Sequence, residues 1–266
     1  MFLIKAKQID IGKNNMRGKI IAANWKMNLN LEQATNLMKD VRDRVDLEKF
    51  KSEVIIFPPS IYLESFEKNL TNSLVSLGAQ DLSANIKGAY TGEISAQMLD
   101  FLHVEYALIG HSERRLNHKE DHDLLTRKVN QALQNNLKII FACGETLEEK
   151  ESRKAEEIVV QQVLKSLNQI QHERWSQITI AYEPVWAIGT GKTATPEDAN
   201  SMHRVIREAL FEKIGHLAND IKILYGGSVK PENAGELFKK PEIDGALVGG
   251  ASLNYLDFIK IINAAE

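Results

Sequence analysis

The sequence of 266 residues is poor in cysteine and in long apolar stretches. Its single cysteine, Cys143, cannot form an internal disulfide, which fits a protein kept in a reducing compartment. No run approaches the ~18 apolar residues of a membrane-spanning helix, so no membrane partner is expected. The formal net charge is only −3, and no Lys/Arg block is long enough to form a basic footprint. Nucleic acid is therefore not expected as a partner either.

The amino-terminal segment lacks the features of a targeting signal. Its apolar opening, Phe2 to Ile4, is far shorter than the core of a secretory signal. Asp10, the scarcity of serine and the lack of early arginine argue against a transit peptide. We therefore expect a cytoplasmic protein. Residues 1–16 are predicted to be an extension of unknown fold and role, and residues 17–266 a single catalytic domain.

The sequence also lacks a clustered set of His, Cys and Asp with metal-ligand spacing, and a dinucleotide fingerprint after the first apolar run. Neither a metal nor an organic cofactor is predicted. The segment HKEDH places His118 and His122 one helical turn apart, but a zinc-protease helix needs glutamate where Lys119 stands. We expect this segment to be a solvated helix start.

Short apolar runs recur along the chain, and each precedes a helical pattern. The runs are Ile20 to Asn24, Val54 to Phe57, Leu74 to Ala79, Ala107 to Gly110, Ile139 to Ala142, Ile178 to Tyr182, Ile223 to Tyr225 and Ala246 to Val248. The clearest helical patterns are Leu31 to Val45, Leu124 to Gln134, Ala155 to Leu167, Glu197 to Ile214 and Pro231 to Lys239. Such alternation over about 250 residues without a linker predicts one closed (β/α)₈ barrel with eight parallel strands. An open doubly wound sheet is the alternative.

In a barrel of this kind, functional residues lie where strands end and the following loops begin. Polar and glycine residues obey that rule here. Asn24 and Lys26 follow the first strand, His111 the fourth, Glu183 the sixth, Gly226 to Ser228 the seventh, and Gly249 and Gly250 the eighth. We expect these groups to converge on one mouth of the barrel.

The segment after the sixth strand predicts a catalytic carboxylate followed by a mobile cover. Pro184 keeps Glu183 extended at the carboxyl end of its strand. Gly189 and Gly191 permit tight backbone geometry near a ligand, and Thr195 is suited to cap the next helix. We call this cover the lid; it comprises Pro184, Val185, Trp186, Ala187, Ile188, Gly189, Thr190, Gly191, Lys192, Thr193 and Ala194.

Two glycine-rich turns after the last two strands, YGGSV and LVGGAS, can bring backbone N–H groups to one small anion, which indicates a phosphate. His111 stands at a plausible helix start, where the positive end of the dipole disfavours imidazolium and predicts a neutral proton shuttle. Beside a phosphate, Lys26 becomes a candidate electrophile for a carbonyl oxygen. The set suits proton transfer next to a carbonyl.

With these residues in place, the chain closely resembles the triosephosphate isomerase family from roughly Lys19 to its end. The matching motifs are AANWKMN, GAYTGEIS, GHSERR, AYEPVWAIGTGK and YGGSVKPEN. The resemblance implies a TIM barrel that interconverts dihydroxyacetone phosphate and D-glyceraldehyde 3-phosphate through an enediolate, in glycolysis and gluconeogenesis. It implies Glu183 as the general base and His111 as the group that moves protons between the two oxygens.

The resemblance also implies roles for the surrounding residues. Asn24 and Lys26 look like substrate-orienting and electrostatic groups, and Glu113 like their carboxylate partner. The implied phosphate ligands are Gly189, Ser228, Gly249 and Gly250. Tyr225 and Ser228 resemble latch residues for the closed lid, and Thr91 resembles a residue that enters a neighbouring subunit, which implies a homodimer.

Two features depart from the family pattern. Cys143 lies one place later than the usual cysteine before GET, whose position Ala142 occupies, and most relatives have no counterpart of the segment before Met16. Two alternative functions stay open: an aldolase or epimerase acting on another phosphorylated metabolite, and a non-catalytic scaffold that retains the barrel. A coupled isomerase assay would distinguish them.

Overall fold

A computed structural model describes residues 17–187 and 194–266. Within these ranges the chain forms eight strands that close into a parallel barrel in sequence order, with β1 paired to β8. The strands are β1 (Ile20–Asn24), β2 (Glu53–Phe57), β3 (Val75–Ala79), β4 (Tyr106–Ile109), β5 (Lys138–Cys143), β6 (Ile178–Tyr182), β7 (Lys222–Tyr225) and β8 (Gly245–Val248). The predicted barrel is confirmed, and the open-sheet alternative is excluded.

Ten α-helices lie between and after the strands in the described ranges. They are α1 (Leu31–Glu48), α2 (Leu63–Leu70), α3 (Ala96–Phe101), α4 (Ser112–Asn117), α5 (His122–Gln134), α6 (Leu147–Glu151), α7 (Ala155–Ser166), α8 (Pro196–Ile214), α9 (Pro231–Phe238) and α10 (Tyr255–Asn263). None of the helices in these ranges is long and apolar enough to cross a membrane.

Alternation along each strand divides the core into two layers. Ile20 and Ala22 of β1 point into the barrel, and Ile21 and Ala23 pack outward against the helices. All four are at most 2% exposed. Both faces of the strands are therefore buried, which explains why the strands appear in the sequence as continuous apolar runs.

Strand ends were predicted to within one residue, and the differences have local causes. Gly110, the predicted end of the fourth strand, lies outside it because its φ of +81° is left-handed. Thr195 caps α8 by accepting the N–H of Asp198, and Pro196 is the first helical residue, as predicted.

The prediction of a solvated helix start at HKEDH is confirmed except at Glu120. Asp121 caps α5, His122 begins it, and His118, Lys119 and Asp121 are exposed. His118 is the C-cap residue of α4, and Lys119 has a left-handed φ of +58°, so the two histidines do not lie on one helix. Glu120 is buried and accepts a 2.6 Å hydrogen bond from the ammonium of Lys128. At Glu120 alone, a buried ion pair replaces the solvated side chain that was expected.

Candidate active site

The candidate site lies at the carboxyl ends of the strands, in a cavity of about 450 Å³. The structure brings residues from β1, β4, β6, β7 and β8 together there, as the sequence predicted. The lining includes Asn24, Lys26, His111, Glu183, Ser228 and Gly249. Gly250 also lines the cavity and begins the short 3-10 helix Gly250–Leu253.

Glu183 is the one carboxylate among the described residues that line the cavity, and 2% of its surface is exposed. Its Oε1 lies 3.0 Å from Nε2 of His111, and its Oε2 accepts the backbone N–H of Ser112 at 2.9 Å. Burial raises the pKa of this carboxyl, but His111, the Ser112 N–H and Lys26 together outweigh burial, so that the pKa is lowered. Glu183 is therefore a buried carboxylate held in its charged form.

His111 caps α4, because its Nδ1 accepts the backbone N–H of Glu113 at 3.2 Å. This contact places the proton of a neutral imidazole on Nε2, which faces Glu183. Burial lowers the pKa of His111, but the attraction and hydrogen bond of Glu183 outweigh burial, so that the pKa is raised. The downward shift expected from the helix start alone was wrong, because that reasoning omitted the carboxylate 3.0 Å away.

Asn24 ends β1, and a hydrogen bond joins it to Lys26 two residues later. Oδ1 of Asn24 accepts the backbone N–H of Lys26 at 3.0 Å. Lys26 has a left-handed φ of +51°, which is uncommon for a residue with a Cβ. Its ammonium forms a 2.6 Å ion pair with Oε1 of Glu113, as the predicted partnership requires.

Gln80 is a supporting residue that sequence reasoning missed. Its side-chain N–H groups donate to the carbonyls of Lys26 at 2.9 Å and Phe57 at 3.0 Å. The contact to Lys26 helps to hold the strained backbone under the ammonium. The available signal was its position directly after β3, where a polar residue follows a buried strand.

The glycine turns bring backbone close to the cavity. A Cβ at Gly226 would lie 2.8 Å from Cγ of Glu183, so only glycine lets this loop approach the carboxylate. A Cβ at Gly249 would lie 3.7 Å from Cε of Lys26. Ser228 lines the same cavity. The predicted phosphate cradle therefore lies beside the lysine.

The first residues of the lid pack on the loop after β5. Val185–Ala187 forms a 3-10 turn, and the indole N–H of Trp186 donates to Oε1 of Glu145 at 2.8 Å. The ammonium of Lys150 lies 3.2 Å from the centroid of the same ring. Glu145 and Lys150 were also missed, because neither is close to the lid in the sequence.

The remaining lid positions fall into two groups. Pro184 and Ala194 are buried, whereas Ile188, Gly189, Thr190, Gly191, Lys192 and Thr193 lie outside the described residues. Tyr225, the predicted latch, ends β7 and is buried, which raises the pKa of its phenol to about 12.

Thr91 lies away from the cavity, on the exposed loop between β3 and α3. Cys143 is buried at the end of β5, and burial raises the pKa of its thiol to about 12. Among residues 17–187 and 194–266, no group of three His, Cys, Asp or Glu side chains is arranged to hold a metal ion.

Comparison with known proteins identifies the family. The family model described as triosephosphate isomerase matches residues 19–265. The chain belongs to the triosephosphate isomerase family. Its activity is therefore the interconversion of dihydroxyacetone phosphate and D-glyceraldehyde 3-phosphate, and the aldolase, epimerase and scaffold alternatives are not retained.

Individual relatives agree along almost their whole length. Triosephosphate isomerase of Phocaeicola vulgatus is 46% identical over 250 residues, which cover 94% of this chain and 99% of the relative. The protein of that name from Hahella chejuensis is 45% identical over 251 residues, with the same coverage. That from Flavobacterium johnsoniae is 43% identical over 250 residues, covering 94% of this chain and all of the relative.

Proposed function

We propose that Glu183 is the base of this isomerisation and removes the proton from C1 of dihydroxyacetone phosphate. The single observation that carries the proposal is the contact of its buried carboxylate with both His111 and the Ser112 N–H. These contacts keep the group charged despite burial, and a charged carboxylate is what proton abstraction requires. The protonated Glu183 then returns the proton to C2, which completes the aldose.

His111 and Lys26 act on the substrate oxygens. As C1 loses its proton, negative charge develops on the carbonyl oxygen at C2, where the ammonium of Lys26 and the Nε2–H of His111 can stabilise it. The imidazole then moves a proton between the two enediolate oxygens. A substrate oxygen that takes over the Nε2–H also separates His111 from Glu183, which removes the cause of its raised pKa.

The phosphate of the substrate is assigned to the backbone N–H groups around Ser228, Gly249 and Gly250. Three features support this assignment: these residues line the cavity, the loops follow the last two strands, and Lys26 lies beside Gly249. Gly189 is assigned to the same ligand from the family pattern. The lid closes over the phosphate and excludes water from the base.

A homodimer formed through the loop that carries Thr91 is supported by exposed apolar side chains near it. Tyr90 is 48% exposed, Met98 57% and Phe101 83%, which is unusual for three large apolar residues on one short stretch. Thr91→Arg should weaken assembly, because burial of an unpaired guanidinium is costly. A monomeric, fully active wild type in sedimentation would contradict the dimer.

The boundary after residue 16 is supported by Arg17. Its guanidinium lies 2.6 Å from Oδ1 of Asp244, which ties the chain at this point to the segment before β8. Deletion of residues 1–16 should leave kcat and the melting temperature unchanged, and a deletion that includes Arg17 should lower the melting temperature. Cytoplasmic location stays a prediction, which cell fractionation can test.

The assignment of the base is tested with Glu183→Asp and Glu183→Gln in a coupled isomerase assay. Aspartate withdraws the carboxylate by about 1 Å, a displacement able to cost ~10²-fold in rate, and glutamine removes the base altogether. Glu64→Gln, on the exposed surface of α2, is the control. A folded Glu183→Gln enzyme with activity within twofold of wild type would refute the assignment.

A further inference from the structure

Arg115 is a partly buried cation whose hydrogen-bond partners are neutral. Its Nε donates to the carbonyl of Gly110 at 2.7 Å, and its Nη2 donates to the carbonyl of Ala142 at 2.9 Å. Its Cζ lies 5.5 Å from the centroid of the Phe141 ring. No ion pair found within the described residues includes this guanidinium. Partial removal of a cation from water is unfavourable, and here two backbone carbonyls offset part of that cost in place of a carboxylate.

The two carbonyls lie at the carboxyl ends of the neighbouring strands β4 and β5, each one residue before a residue that contacts Glu183. Gly110 immediately precedes His111, and Ala142 precedes Cys143, whose carbonyl accepts the backbone N–H of Glu183 at 2.7 Å. Arg115 therefore connects the segment that carries the imidazole with the segment that fixes the backbone of the base.

Arg115 also belongs to α4, the helix that provides both groups in contact with the carboxylate of Glu183. His111 caps this helix, and Ser112 is its first residue. We propose that Arg115 is a positioning residue for the isomerisation: its two hydrogen bonds fix α4 on the ends of β4 and β5, and thereby hold His111 and the Ser112 N–H against Glu183. This inference rests on the proposed role of Glu183 as the base.

A guanidinium can perform this task and an ammonium cannot. The planar fork donates in two fixed directions, whereas lysine is a point charge on a flexible stem. Loss of the fork lets the start of α4 move relative to β5, and a shift of about 1 Å in a catalytic contact is able to cost ~10²-fold in rate.

Arg115 also contributes charge. The titratable groups that act on Glu183 are His111, Lys26, Arg115 and Cys143. The thiol of Cys143 is uncharged at neutral pH, because burial raises its pKa to about 12. The cations of Arg115 and Lys26 therefore both favour the ionised form of Glu183. Loss of the Arg115 charge should raise the pKa of the base.

Arg115→Lys and Arg115→Met separate these two contributions. Methionine removes the charge and the fork, and should lower kcat roughly tenfold or more and move the acidic limb of kcat/KM to higher pH. Lysine keeps the charge, so its acidic limb should stay near that of wild type while kcat remains low. KM should change less than threefold in both, about 0.6 kcal/mol or less in ground-state binding. Arg127→Lys, at an exposed position on α5, should change none of these values.

If Arg115 has only a structural role, both variants should have a lower melting temperature and an acidic limb equal to that of wild type. Folded Lys and Met variants whose kcat and acidic limb both match wild type would overturn the proposal. If neither variant folds, NMR of the wild-type Arg115 Nε–H decides: the signal should titrate with the acidic limb, and a pH-independent signal would overturn the proposal. An active Glu183→Gln variant would instead refute the assignment of Glu183 as the base. If Glu183→Gln is inactive while both Arg115 variants behave like wild type, only the inference about Arg115 is refuted.

Discussion

Nε2 of His111 and Oε1 of Glu183 lie 3.0 Å apart, so the proton shuttle and the base of the proposed mechanism contact each other directly. The contact shifts their pKa values in opposite directions, up for the imidazole and down for the carboxyl. Each group therefore favours the charged form of the other, and the pair titrates as a coupled unit.

This coupling predicts that Glu183→Gln lowers the pKa of His111. The substitution removes the carboxylate that raises the pKa, and leaves burial and Lys26, which both lower it. The ¹⁵N chemical shifts of the imidazole across a pH titration measure the effect. Glu113→Gln should give a smaller decrease, because Glu113 is the least of the groups that raise this pKa. An unchanged or increased pKa in Glu183→Gln would show that the carboxylate does not control His111.

The ion pair between Lys26 and Glu113 predicts a second effect. Glu113→Gln removes the charged partner 2.6 Å from the ammonium, so that Lys26 is less well fixed over the cavity. Because half of the Glu113 side chain is exposed, solvent weakens the pair, and we expect a loss in kcat of only roughly tenfold. Steady-state kinetics measure the loss, with Glu64→Gln as a remote surface control. A kcat equal to that of wild type would remove Glu113 from the catalytic set.

Gly144 gives a steric test of how the base is held. A Cβ at this position would lie 1.7 Å from the carbonyl oxygen of Glu183. This clash can be relieved only if the backbone at Gly144 or at Glu183 moves. Gly144→Ala should therefore displace Glu183, with a loss in kcat of ~10²-fold, and lower the melting temperature.

Gly235→Ala is the matched control for this substitution. Nothing lies within 4 Å of a Cβ at Gly235, which is in α9, so alanine should stabilise the helix by about 0.5–1 kcal/mol without loss of activity. If both alanine variants retain wild-type kcat, the close approach of Gly144 to Glu183 is not required for catalysis.

His203 predicts how stability depends on pH. Burial lowers its pKa to about 3 from an ordinary value of 6.5, and its Nδ1 donates to the carbonyl of Glu242 at 2.9 Å. Between these two pH values the unfolded chain binds a proton that the folded chain does not, so stability falls as pH falls through this window. The contribution amounts to about 2 kcal/mol between pH 7 and pH 5.

His203→Asn should remove this contribution, because asparagine can donate to the same carbonyl but does not titrate. Urea unfolding at one protein concentration, at pH 7 and pH 5, measures the difference from wild type. His172→Asn, at an exposed histidine, should leave the wild-type pH dependence intact. Equal pH dependence in His203→Asn and wild type would mean that the pKa of His203 is the same in the folded and unfolded protein.

The sequence predicted the parts of the molecule that depend on local pattern. Continuous apolar runs predicted the strands, because both faces of each strand are buried. Polar residues at or after the strand ends identified the candidate site residues Asn24, Lys26, His111 and Glu183. Contacts between distant segments left no such pattern. Gln80 contacts Lys26 from the position directly after β3, and Arg115 connects the ends of β4 and β5. Both act through hydrogen bonds to backbone carbonyls, which every sequence provides.

Charge and burial were predicted least well, for the same reason. The direction of the His111 pKa depends on Glu183, which is 72 positions later in the sequence and 3.0 Å away in space. Glu120 looked like part of a solvated run because its partner Lys128 lies on the following helix. A titratable group can be placed on an element from its neighbours in sequence, but its electrostatics depend on its neighbours in space.

The pairing of β1 with β8 has a consequence for biosynthesis. Ile20 pairs with Gly245 and Ala23 with Val248. During synthesis, β1 therefore stays unpaired on this side until β8 has been made. Until then β1 and β7 each keep an open edge able to pair with other chains, and Lys26 lacks Gly249 beside it. We therefore expect a nascent chain that ends after Tyr225 to lack activity and to expose two strand edges able to pair with other chains until β8 is added.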